Sequence, residues 1–171
     1  MDARVTAVAP DAASEQDGMA VVGAVLDEYA SRGVFQDCHV APRKNGGADY
    51  HFSWLYGQPF TLSCDVRQRR LALRDLLPNI ERDSMLHREI KAWLKGRAAA
   101  SVPEHRRVDP RQARAVARLR DGLLSLELEL AEEGDFNYAA RKLINLTHEF
   151  FLFMNEYWAE YMWQNFRLNM E

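Results

Sequence analysis

The chain has 171 residues, of which 47% are hydrophobic and 27% charged, with a formal net charge of −3. That length suits one domain with a full core, and the balance is ordinary for a globular chain rather than for an overall polyanion binder. Two cysteines, Cys38 and Cys64, are too few for a disulfide framework, and no run approaches the roughly 18 apolar residues of a membrane span.

Charge is unevenly placed along the chain. Residues 65–120 carry 15 basic and 7 acidic side chains, whereas residues 121–171 carry 3 and 10. Such a split arises from two opposed surface patches or from segments that pair with one another in the fold.

Residues 1–13 read as a flexible tail, small and polar, with Pro10 and no apolar run of the length a signal peptide needs. A cytoplasmic setting is expected, with residues 14–171 forming a single domain. A first helix is expected from Ser14 or Glu15 to Ser31, since Met19, Val22, Val25, Leu26 and Tyr29 share one face and Gly33 follows.

Strand patterns then take over. FQDCHVAPRK places Cys38 and Val40 on one face, and NGG at 45–47 signals a turn. DYHFSWLY alternates Tyr50, Phe52, Trp54 and Tyr56 with polar residues, and FTLSCDV alternates Phe60, Leu62, Cys64 and Val66. A three-residue loop at 57–59 opposes Tyr56 with Phe60, Trp54 with Leu62 and Phe52 with Cys64, apolar against apolar. A loop at 67–70 would then oppose Val66 with Leu71 and Cys64 with Leu73.

A second helix starts at Asp83-Ser84, runs through Met85, Leu86, Ile90, Trp93 and Leu94, and ends near Gly96. After a long connection comes RAVARLR-DG-LLSLELEL. Asp121-Gly122 is a preferred two-residue hairpin turn, and it opposes Leu119 with Leu124 and Ala117 with Leu126. The outer face of that hairpin brings Arg114 and Arg118 near Glu127 and Glu129, which cancels part of the charge split. Asp135 caps a last helix expected to run unbroken from Phe136 to Phe166.

The expected fold class is α+β: an antiparallel sheet of five to six strands, meander plus hairpin, packed by three helices in the order α-β-β-β-(β)-α-β-β-α. By that element order, over about residues 14–166, the chain resembles the type III secretion chaperone-like fold shared by YbjN-like proteins. The resemblance implies a non-enzymatic activity, in which dimers bind an extended client segment across apolar patches of sheet and helix. No sequence motif accompanies it, and no functional residue is carried over. The last helix is longer and more aromatic than that family's usual one.

No catalytic constellation emerges. His148-Glu149 would need a second histidine at 152 to make a zinc-protease helix, and that position is Leu152. Cys38, His39, His51 and Cys64 alternate in direction along their strands, so no metal centre is expected. There is no glycine-rich phosphate loop and no nucleophile elbow. No cofactor is expected.

The last helix carries more apolar surface than a single sheet-facing stripe uses. Phe151, Met154, Trp158, Tyr161, Met162 and Phe166 are therefore the expected contact residues for a partner, either a second copy in a homodimer or a protein client. A weaker alternative is nucleic-acid binding by Arg106, Arg107 and Arg111 within the arginine-rich 103–114 segment. A third is a small-ligand or enzyme site assembled from scattered residues such as His51, Asp65 and His87.

Overall fold

The computed structural model describes the backbone of residues 12–44 and 46–167, with side chains from Asp17 onward. The helix α1 (Ala12–Ser31) leads into strands β1 (Gln36–Pro42), β2 (Gly47–Trp54), β3 (Gln58–Asp65) and β4 (Arg70–Leu77). Then follow α2 (Met85–Gly96), β5 (Ala113–Arg120), β6 (Leu123–Leu130), α3 (Phe136–Tyr157) and α4 (Ala159–Phe166). The expected tail at 1–13 falls largely outside the described residues, and Ala12 and Ala13 already belong to α1.

All six strands form one antiparallel sheet in the order β1-β2-β3-β4-β6-β5. The protein is α+β, as the alternation of its strands requires. One sheet face is apolar: Tyr50, Phe52, Trp54, Phe60, Leu62, Cys64, Leu71, Leu73, Leu126 and Leu128 are buried there. On this face α1 packs by Val22, Val25 and Leu26, whose spacing aligns them on one side of the helix. The neighbouring α3 presents Leu143, Leu146 and Phe150, and α2 joins the same layer through Trp93, which packs on Phe150 and Phe153.

The opposite face is polar and carries its own ionic tiling. Glu127 sits between Arg70 and Arg118 at 3.6 and 3.4 Å, and Glu129 between Arg114 and Arg118 at 2.7 and 2.6 Å. The charge split between the two halves of the chain is thus partly resolved inside the β5–β6 hairpin. Its register is the expected one, with Leu119 opposite Leu124 and Asp121 and Gly122 both at positive φ.

Two registers differ from expectation. Phe52 opposes Phe60, not Cys64, and Cys64 opposes Leu71, not Leu73. The β2–β3 loop is Leu55-Tyr56-Gly57, all at positive φ, and not 57–59. Each slip is by an even number of residues, so every side chain keeps its face and apolar alternation alone does not separate the alternatives. Tyr56 is thereby moved into the turn and exposed. Val40 faces the apolar side but lies on the edge strand beyond the helical cover, where it is 53% exposed.

The last helix is not continuous. It breaks at Trp158 (φ −131°, ψ 41°), so α4 departs from the line of α3. The break is held by tertiary bonds. The Trp158 indole donates to Glu89 at 2.9 Å, the Tyr161 hydroxyl donates to the Pro78 carbonyl, and Asn79 donates to Asn165 at 2.8 Å. This overturns the expectation that the surplus aromatic face stands free. Phe151, Met154 and Met162 are buried, and Trp158, Tyr161 and Phe166 are half-buried against the same core.

Candidate functional site

With the aromatic face of the last helix folded inward, the open surface lies elsewhere. The sheet has two edges. On β1 the ladder is interrupted by a bulge between Gln36 and His39, Asp37 is at φ 55°, and Pro42 has no N–H to offer. Such features blunt an edge against strand addition.

The β5 edge is regular. Because Asp121-Gly122 closes a two-residue hairpin, Arg120 and Leu123 form a hydrogen-bonded pair, as do Arg118 with Ser125 and Val116 with Glu127. The alternate residues Ala113, Ala115, Ala117 and Leu119 therefore turn their N–H and C=O groups away from β6. Local partners take up the two ends of this row. The Ala113 N–H donates to Asp109 at 3.0 Å, and the Leu119 carbonyl accepts from Arg82 at 3.0 Å. Among the described residues, Ala115 and Ala117 have no such partner.

Those same positions are alanines on the apolar face, and their short side chains leave space under α2. A groove of about 500 Å³ runs there, floored by Leu94, Val108, Ala113, Ala115 and Ala117. Its rim carries Lys91 and Lys95 from α2, and among the described residues no carboxylate lines it; Arg114 also borders it, with its guanidinium paired to Glu129 on the polar face. Among the described residues Lys91 and Lys95 make no ion pair. An open strand edge, an apolar channel for alternate side chains and a cationic rim are thus brought together.

The residues singled out from the sequence are placed as follows. Arg107 is spent on the carbonyls of Ala100 and Val102 at 2.9 Å, Arg106 lies 3.8 Å from Glu149, and Arg111 pairs with Asp109 at 3.1 Å. The arginine-rich segment is thus largely stitched to its own loop and to α3. His51 bonds Thr61 at 3.0 Å and stacks on His39, Asp65 accepts from the Gln68 N–H at 3.0 Å, and His87 accepts from the Asp83 N–H at 3.0 Å. Each is held by its own local partners on a different element. Among the described residues no group of three or more potential ligands could hold a metal ion. Cys64 is buried, and burial pushes its thiol up to about 12, away from nucleophile chemistry.

The signal for the groove was present in the sequence as the alternation of alanine with arginine in ARAVARLR. Alternation by itself marks a hairpin there; that no further described strand lies beside β5 is a property of the topology.

Fold and groove together define an α+β protein with a one-sided sheet and one accessible strand edge. The chain matches no family model, no curated protein and no solved structure. No helix among the described residues is long and apolar enough to cross a membrane.

Proposed function

We propose that this chain is a non-enzymatic protein-binding module that receives an extended, acidic segment of a client protein along β5. The observation that carries the reading is the pair of outward-facing backbone groups at Ala115 and Ala117 beside a cation-rimmed apolar channel. An added strand would bond those groups and place alternate apolar side chains in the channel, while the residues between them turn to the polar face and the segment's overall negative charge is drawn to Lys91 and Lys95 on the rim. The helix and strand order of the secretion chaperone-like resemblance is in keeping with it. A reducing, cytoplasmic setting goes with the two free thiols.

The test is a titration of the isotope-labelled chain with a short peptide alternating valine and glutamate. Shifts should map to β5 and α2, and Lys91→Glu with Lys95→Glu should weaken binding about tenfold, because it reverses two rim charges that attract the acidic peptide. A valine–lysine peptide that binds as well, or shifts that map elsewhere, would refute the reading. A single-stranded DNA oligonucleotide that binds more tightly than the peptide would favour the nucleic-acid alternative instead.

A homodimer is a second reading, and it moves to the other side of α3. Leu152 and Tyr157 are 55% and 65% exposed, and Phe153 stacks on Trp93 at 5.4 Å and meets Tyr157 at a tilt at 5.3 Å. The patch is bordered by charges of both signs, Arg106, which pairs with Glu149, and Glu156. A two-fold pairing can match such charges against each other. Leu152→Glu should then shift the sedimentation profile from dimer to monomer, and a wild-type chain monomeric at high micromolar concentration would end this reading.

A further inference from the structure

A second concavity lies where α4 crosses the β2–β3 turn and the end of β4. It measures about 210 Å³. Its interior is aromatic: Phe151 meets Phe60 and Phe166 edge-to-face, with ring centres 6.1 and 6.4 Å away. Leu55 and Leu76 complete the apolar lining. An apolar cavity of about 150 Å³ takes a benzene ring, so this one holds a single ring or a branched alkyl group.

Among the described residues the only charged one in the lining is Asp75. It is exposed and, among the described residues, forms no ion pair. Its position is set by an irregularity in the sheet. Leu73 opposes Leu126 and Leu77 opposes Leu124, so β4 carries two more residues than β6 over that interval. The bulge turns Leu76 inward and holds Asp75 at φ 52°, with the Asp75 N–H donating to Ser125 Oγ at 2.8 Å.

The surrounding backbone is unusual as well. Leu55, Tyr56 and Asn79 are at φ 28°, 61° and 56°. Leu55 and Tyr56 adopt these angles as members of the β2–β3 turn, and that turn supplies both residues to the pocket lining. Side-chain bonds then hold the roof: Asn155 donates to the Tyr56 hydroxyl at 3.0 Å, and Asn79 to Asn165 at 2.8 Å.

We propose that this pocket binds a small organic ammonium, its ring or branched alkyl group among Phe60, Phe151 and Phe166 and its nitrogen paired with Asp75. Among the described residues no basic one in the lining competes with the ammonium for the carboxylate. This site is independent of the β5 groove, and neither stands or falls with the other.

The full chain, isotope-labelled, is titrated with benzylammonium and, separately, with benzyl alcohol, its neutral analogue of nearly equal size. Benzylammonium should give saturable shifts at residues 55–60, 75–78, 151 and 166, and benzyl alcohol should bind about fivefold more weakly, the factor an exposed ion pair supplies. Asp75→Asn should erase that preference while the fold stays intact, because asparagine tolerates the left-handed backbone as readily as aspartate. Equal binding of the two compounds, a preference that survives Asp75→Asn, shifts confined to other residues, or no saturable shift would each overturn the assignment.

Discussion

The indole N–H of Trp158 donates to Glu89 at 2.9 Å, tying the residue at which the last helix breaks to the exposed side of α2. Without that turn, Met162 would continue along the line of α3. With it, Met162 enters the core and is 1% exposed. Met162→Ala is therefore expected to lower unfolding stability by about 2–4 kcal/mol, as truncation of a buried methionine does. Denaturant unfolding checks this. An unchanged midpoint together with altered self-association would mean that the residue belongs to an interface after all.

A backbone contact at the start of α3 is equally specific. Gly134 lies so close to the chain entering β5 that an added Cβ would stand 2.0 Å from the Gln112 carbonyl oxygen. That carbonyl already accepts from the Ala131 N–H at 2.8 Å, which fixes it in place. Gly134→Ala should cost about 3 kcal/mol or more, since backbone must move to admit it. Gly96→Ala, with nothing within 4 Å of the added atom and no positive φ, is the matched control and should raise stability slightly. A Gly134→Ala variant as stable as wild type would show that this turn repacks freely.

The stability of the fold should depend on pH through His87. This side chain is buried, and burial, then the positive charge of Lys91, holds its pKa below the ordinary 6.5. The unfolded chain takes up the proton at a pH where the folded one does not. The stability it contributes is complete above the unfolded value and is lost as pH falls from there through the folded one. The denaturant midpoint should thus fall as pH drops below about 6.5, and His87→Asn should remove that part of the slope. Asp49, lowered by Arg43 and Ser63 against the opposing pull of burial, adds acid sensitivity only further down, in the carboxylate range. A slope unaltered by His87→Asn would assign the effect to other groups.

How far the chain could be read in advance varies from element to element. The β5–β6 hairpin was legible to the residue because Asp121-Gly122 admits one short loop, and that loop dictates every pair behind it. The β2–β3 loop has Gly57 and Pro59 within three residues of each other, so two loops of equal length satisfy the same apolar face. The polar outer face, with His39 and His51 turned from the core, followed directly from alternation. The break at Trp158 has no proline or glycine to announce it. It rests on bonds to Glu89 and Pro78, about 70 to 80 residues earlier in the chain, which local periodicity does not report. For that reason the aromatic face was expected outside and is found mainly inside, and the accessible edge of β5 emerged only once the strand order was known.

That edge is tested most directly by amide hydrogen exchange at Ala115 and Ala117, with and without the valine–glutamate peptide. In the free chain both amides should exchange much faster than those of Val116 and Arg118, which are bonded to β6. Saturating peptide should slow Ala115 and Ala117 by at least about tenfold while leaving Val116 and Arg118 close to their free values. Amides of Ala115 and Ala117 that are already protected in the free chain, or that exchange at the same rate with peptide bound, would contradict an open edge that accepts a client strand.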